Sequence, residues 1–293
     1  MRRSVFLLLL LRGFAAVAKA LRPETGEQQS IGPALKLPVT PNSVRFAIIG
    51  DNGTGERPQF EVARQMETFR KDFPFDFVCM LGDNIYGSKT AEDFRKKFEQ
   101  PYEPLRSAGV KFYASLGNHD HTSERLYKPF NMDGQRYYTF KNANVQFFVL
   151  DSNYMDPAQL EWLERQLSGS GATWKICYFH HPLYSHGKFH GPDLDLRARL
   201  EPMLVKYKVD VVLNGHEHVY ERVKPQQGIY YFVLGNSGEL RPHNLNPSAD
   251  TEKGFDTDRT FGLIEIAGNQ FNFQIVSRAG ATVDSGTMQK PAK

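Results

Sequence analysis

Carboxylate, imidazole, amide and phenol side chains recur in this chain beside glycine, at the ends of apolar runs. Gly50-Asp51-Asn52-Gly53, Gly82-Asp83-Asn84-Ile85-Tyr86, Gly117-Asn118-His119-Asp120, His180-His181-Pro182 and Gly215-His216-Glu217-His218 make up the series. Oxygen and imidazole donors without thiolates suit Fe, Mn or Zn and exclude a cysteine-type structural zinc site. The donors exceed what a single ion needs, and an Asp can bridge. The set therefore suits a pair of ions roughly 3.5–4 Å apart, the arrangement of hydrolytic two-metal sites. Taken singly, each segment reads as a turn, because Asp and Asn cap helices and form turns, and a lone His is more often a surface or core residue than a ligand. Taken as a series they point to metal, because independent turns need not share metal-capable chemistry.

The elements that must position these residues follow from periodicity. Apolar or β-branched runs at Val44 to Ile49, Phe77 to Leu81, Lys111 to Leu116, Trp174 to Phe179, Val209 to Leu213 and Tyr230 to Leu234 predict strands, and the candidate residues lie just past the ends of most of them. Pro58 opens a helix carrying Phe60, Ala63, Met66, Phe69 and Phe73 at helical spacing. Thr90-Ala91-Glu92-Asp93 has the form of a capping box, with Phe94 and Phe98 behind it. Asp156-Pro157 caps a helix bearing Leu160, Leu163 and Leu167, and 194–207 is helical in pattern, with Pro202 expected to break or restart it. Tyr137 to Phe140 and Val145 to Leu150 predict paired strands, and so do Phe261 to Ile266 and Phe271 to Val276. Residues 238–260 lack periodicity and are read as a long loop, either plain surface or a rim over the site.

Near-continuous apolar strands alternating with helices imply an α/β fold with sheets covered on both faces. Such folds bind ligands beyond the carboxyl ends of their strands. The glycines beside the candidate residues then serve where the chain turns sharply near an ion.

On these motifs the chain resembles the calcineurin-like metallophosphoesterases. Tyr86 within Gly-Asp-Asn-Ile-Tyr, and Gly-His-Glu-His-Val-Tyr-Glu-Arg at 215–222, make it similar to the purple acid phosphatases, of the small, tartrate-resistant type. The resemblance covers roughly residues 46–276 and implies two packed mixed β-sheets flanked by helices, an α/β/β/α sandwich. It implies that Asp51, Tyr86 and His218 hold an Fe(III) ion and that Asp83 bridges. Asn118, His216 and His180 then hold a second, divalent ion (Fe, Zn or Mn). The family's His-x-Pro pattern selects His180 over His181; alternation along a strand also argues against both serving one ion. Two such cations neutralise phosphoryl oxygens and lower the pKa of a bound water. His119 is the first candidate to protonate the leaving oxygen, oriented by Asp120. His190 resembles a second active-site His, one residue further from His180 than the family pattern; His121, His186 and His243 are left as surface histidines around the pocket. The expected function is a secreted acid phosphatase acting on phosphate monoesters. The alternatives are a phosphodiesterase or nucleotidase on the same fold, or a non-catalytic phosphate-binding protein.

The chain's bulk properties agree with this reading. Its 293 residues are 40% hydrophobic and 13% aromatic, enough for one large α/β domain. The net charge of +3 comes from scattered Lys and Arg, which excludes the clustered basic face of a nucleic-acid binder. The only cysteines, Cys79 and Cys177, lie inside predicted strands and read as buried thiols. Met1-Arg2-Arg3, the run from Leu7 to Leu11 and the small-x-small site at Ala18-Lys19-Ala20 read as a cleaved export signal. The expected organisation is a signal at 1–20, a Pro-rich arm at 21–43, the catalytic domain at 44–285 and a tail at 286–293. Expected partners are small phosphorylated substrates and inorganic phosphate, with no nucleic acid and no stable membrane insertion after cleavage. A monomer located outside the cytoplasm is expected.

Overall fold

The computed structural model describes residues 34–290. The export signal at 1–20 and the arm as far as residue 33 lie outside the described residues. Among the described residues no helix is long and apolar enough to cross a membrane.

The strands form two sheets. One runs in the order β13-β12-β11-β1-β2-β3 and the other β10-β8-β9-β7-β6-β5-β4. In the first, β1 (Val44–Ile49) pairs in parallel with β2 (Phe77–Met80), and β2 with β3 (Lys111–Ala114). Its other half, β11 (Thr260–Ala267), β12 (Gln270–Ser277) and β13 (Thr282–Gln289), is antiparallel. In the second, β5 (Val145–Val149), β6 (Trp174–Tyr178), β7 (Val211–Asn214) and β9 (Ile229–Leu234) are parallel; β4 (Tyr138–Asn142), β8 (Tyr220–Gln226) and β10 (Thr251–Phe255) complete it antiparallel.

Alternation along β1 explains the layering. Phe46 and Ile48 point into an inter-sheet core with Phe77, Phe147, Trp174 and Phe232. Ala47 and Ile49 point the other way, into a core with Val62, Met66 and Phe69 of α1 (Arg57–Arg70). The short helices α2 (Ala91–Phe94) and α3 (Glu103–Ser107) join that layer through Phe94 and Leu105. On the far face, Leu163 and Leu167 of α4 (Pro157–Ser168) and Leu196, Leu200 and Leu204 of α5 (Leu194–Lys206) cover Phe148 and Cys177. The result is the expected α/β/β/α sandwich. Aromatic rings lock the two sheets together: Phe46 stacks on Phe77 and meets Phe147 edge-on, both at 5.2 Å between centroids. Cys79 and Cys177 are buried free thiols.

Three local expectations change, and one strand was not anticipated. Pro202 sits inside α5 on its exposed side, and the helix continues because its opposite leucine face is fully packed. Residues 238–260 are not a single loop: β10 pairs with β8 in their middle, and the Thr251 hydroxyl donates to the buried Glu221 at 2.5 Å. The motif at 215–222 runs into strand β8 itself. β13 carries the chain past 286, where a tail was expected. β10 and β13 are polar edge strands with little buried surface, so neither shows the apolar alternation by which strands are read. The described part of the arm is fixed: the amides of Val39 and Thr40 donate to Glu265, and that of Lys36 donates to Gln274.

Candidate metal centre

β1, β2, β3, β6 and β7 end at the same edge of the sandwich, and the five segments leave them there. Asp51, Asp83 and His216 all adopt left-handed backbone, with φ of 50°, 53° and 71°. Strain of this kind at non-glycine residues persists only where surrounding contacts enforce it. Backbone amides supply those contacts. Asp51 Oδ2 accepts from His216 N at 2.9 Å, and Asp83 Oδ1 accepts from His119 N at 2.8 Å. Each carboxylate keeps its other oxygen free to face the centre. The adjoining glycines are required by close approach: a Cβ on Gly117 would lie 2.2 Å from Asp83 Oδ1, and one on Gly215 would lie 2.4 Å from Asp51 Oδ2.

The donor atoms converge into two groups. In the first, Asp51 Oδ1, Tyr86 Oη and His218 Nε2 stand 3.3 Å from one another on every edge. In the second, Asn118 Oδ1 lies 2.9 Å from both His180 Nε2 and His216 Nδ1, which are 3.1 Å apart. Asp83 stands between them. It clusters with Asp51 and His218, and its Oδ2 is 3.5 Å from His180 Nε2. Ligands held about 2.1 Å from a metal are separated by roughly 3.0–3.4 Å, so both triangles have the size of a coordination face.

The chemistry of the donors fits cations as well as their spacing does. His180 is fully buried, and burial with the neighbouring His181 pushes its pKa well down, so the ring is neutral. Its single N–H sits on Nδ1, 2.9 Å from the Leu81 carbonyl. Nε2 therefore turns a bare lone pair toward the Asn118 oxygen, a contact between acceptors that a cation relieves. Burial, then the opposing Asp83 charge, pushes the Asp51 carboxyl well above its usual range. Asp83 is raised by burial as well. Tyr86 is pushed up by burial, then by the charges of Asp51 and Asp83. A positive charge between them reverses each of these shifts. The residues present thus fit a pair of metal ions.

His181, the alternative ligand, points elsewhere: its Nδ1 lies 2.8 Å from the Ser152 hydroxyl. His119 is exposed on the open side, its ring centroid 4.9 Å from that of Tyr86. His190 is exposed and stacks on His216 at 4.0 Å. Its pKa is lowered to about 4, by burial first and then by the charge of Arg241.

Asp120 departs from the role expected of it. Its Oδ1 accepts from Asn84 N at 2.8 Å and Ile85 N at 3.1 Å; its Oδ2 accepts from Asn84 Nδ2 at 2.7 Å and Gly117 N at 2.8 Å. The carboxylate spends these bonds clamping the loop of Asp83 and Tyr86 to the loop of Asn118, not orienting the His119 ring. Burial and the neighbouring Glu124 push Asp120 up, and Glu124 itself is raised to about 7 by burial.

Sequence reasoning also passed over Glu217. Fully buried between His216 and His218, it accepts from His190 N at 2.6 Å and Gly191 N at 2.5 Å through Oε1, and from Asn244 Nδ2 at 2.9 Å through Oε2. It ties the His190 loop and the 241–245 segment to the ligand loop. Its place inside the quoted motif was the available signal. A cleft of about 520 Å³ opens beside Asn118, walled by His121, Ser152, Asn153, Tyr154 and His181.

Comparison with known proteins returns one family. The calcineurin-like phosphoesterase profile matches residues 44–220. Purple acid phosphatase 7 of Arabidopsis thaliana is 30% identical, over 73% of this chain and 76% of its own length. Tartrate-resistant acid phosphatase type 5 of Mus musculus is 27% identical, over 82% of this chain and 89% of its own. Among solved structures, GAP50, described as the anchor in the inner membrane complex of Plasmodium, superposes with a TM-score of 0.73 at 20% identity. It covers 86% of this chain and 90% of its own, a likeness of fold alone.

Proposed function

The chain belongs to the calcineurin-like phosphoesterase family, in its purple acid phosphatase branch, and on that premise we propose that it is a secreted acid phosphatase hydrolysing phosphate monoesters. The observation that carries the reading is the pair of donor triangles with Asp83 between them. Asp51, Tyr86 and His218 would hold Fe(III); Asn118, His180 and His216 would hold a divalent ion, and Asp83 would touch both. Bound there, the ions would neutralise phosphoryl oxygens and lower the pKa of a bound water.

The chain's own residues do the rest. The amides of His216 and His119 fix the free oxygens of Asp51 and Asp83 toward the centre, so no reorganisation is needed when substrate arrives. The Leu81 carbonyl holds the His180 tautomer. His119, exposed beside Tyr86, delivers a proton to the departing alcohol oxygen. The cleft beside Asn118 gives that alcohol room. A phenolate donated by Tyr86 would favour a ferric over a ferrous ion. The Arg2-Arg3 start and the following leucine run support export.

Turnover of an aryl phosphate monoester and of the matching diester by the metal-loaded protein at acidic pH tests the proposal. Monoester preference is expected. Diester preference overturns the monoesterase assignment, and tight phosphate binding without turnover of either overturns the enzyme.

A further inference from the structure

Arg241 is a cation at the lip of the metal centre with no counter-ion among the described residues. Its guanidinium carbon stands 3.8 Å over the Phe189 ring, and its Nη1 is buried with no acceptor among the described residues. No carboxylate forms an ion pair with it among the described residues, in a chain where Arg136, Arg222 and Arg278 each pair with Asp. Its backbone N–H donates to the carbonyl of His218 at 3.0 Å, so it leaves the chain directly against a ligand loop.

A chain of ring contacts leads from the centre to this cation. His190 stacks on His216 at 4.0 Å, Phe189 meets His190 at 4.5 Å, and Arg241 covers Phe189. Phe189 is 65% exposed, so this wall faces solvent at the mouth of the site. The wall is also rigid. Glu217 holds the amides of His190 and Gly191 on one side and Asn244 on the other, and Lys188 N donates to Asn244 O at 2.7 Å. A guanidinium keeps its charge at every ordinary pH, and its planar fork suits phosphate or carboxylate. One held in place by an aromatic face and left unpaired is organised for an anion that arrives from outside.

We propose that Arg241 is a specificity-determining residue that binds a second anionic group on the substrate, beyond the phosphoryl held at the metal centre. The favoured substrates are phosphate esters or anhydrides that carry a carboxylate or another phosphoryl close to the scissile bond. This rests on the phosphatase reading and names its substrate class. The metal donors and His119 account for the reacting phosphoryl, whereas Arg241 stands outside that set and is joined to it through Phe189 and His190.

The test compares phosphoglycolate and inorganic diphosphate, each with ethyl phosphate, which lacks a second anionic group. For the metal-loaded wild type, kcat/KM for phosphoglycolate exceeds that for ethyl phosphate. In R241Q that ratio falls about 10- to 100-fold, the effect of removing charge-assisted hydrogen bonds, and R241K recovers part of it. A diphosphate arm that responds while the phosphoglycolate arm does not assigns the second group as phosphoryl; the converse assigns it as carboxylate. A ratio unchanged in R241Q on both arms overturns the proposal. A wild type that turns over no ester refutes the phosphatase reading instead, and calorimetry then decides the Arg241 claim. The metal-loaded chain must bind diphosphate more tightly than phosphate and lose that margin in R241Q; an equal margin in both proteins overturns it.

Discussion

Replacing Asp120 with Asn separates a clamp from a catalytic orienter. The carboxylate accepts four bonds, two on each oxygen, from Asn84 N, Ile85 N, Asn84 Nδ2 and Gly117 N. Whichever way an Asn amide is turned, its NH2 meets two donors and those two bonds are lost. Hydrogen bonds to a charged acceptor are worth about 1.5–3 kcal/mol each, so D120N destabilises by about 3–6 kcal/mol. At about 2–4 °C per kcal/mol for a domain of this size, Tm falls by roughly 10 °C. The loops of Asp83 and Asn118 loosen together, so affinity for metal falls by roughly 10- to 100-fold, as it does when a group supporting a ligand is removed. Thermal unfolding with and without metal, followed by metal titration, measures both. A Tm within about 2 °C of wild type, together with a shift in one limb of the pH–rate profile, would refute the clamp and restore Asp120 as the partner of His119.

Other consequences follow from the same geometry. His180→Ala removes the Nε2 donor and is expected to halve the metal content, whereas His181→Ala, whose ring bonds Ser152, is expected to leave it at the wild-type count by elemental analysis. Glu217→Gln replaces an acceptor that serves the amides of His190 and Gly191 and Asn244 Nδ2; KM should rise several-fold with metal content unchanged, and a lost metal would contradict a role confined to the rim. Glu124 is held near pH 7 in the folded chain against a usual value of 4.5, so its contribution to stability is complete below about pH 4.5 and is lost as pH rises through 7. Glu124→Gln should therefore flatten the stability profile between those limits by about 3 kcal/mol, measured by denaturant unfolding; a slope as steep as wild type contradicts it.

What the sequence made legible is what periodicity and donor chemistry encode. The parallel strands β1, β2, β6, β7 and β9 announce themselves because both faces are buried and the runs are mostly apolar, broken only by Arg45, Lys175 and Asn214. The donors could be picked out because each stands in the loop that leaves the end of a parallel strand. β10 and β13 were hidden because an edge strand needs only backbone pairing, and Thr251 to Phe255 has no apolar rhythm to show. Pro202 misled because a proline on the solvent side of a well-packed helix costs less than the packing returns. Asp120 and Glu217 were in view but misjudged. Their partners are amides of Gly117, Ile85 and Gly191, and an amide carries no trace of its role in residue identity. Arg241 was invisible for a related reason: it is the fold, not the local sequence, that brings it against His218 and Phe189.

The central claim is a pair of metal ions, one of them ferric and bound by Tyr86. The direct measurement is the visible spectrum of the purified, oxidised protein together with its metal content. The account predicts two metal ions per chain, at least one of them iron, with a charge-transfer band that disappears in Tyr86→Phe while the iron remains. A colourless protein carrying only zinc or manganese after oxidation, or a coloured one whose band survives in Tyr86→Phe, would contradict it.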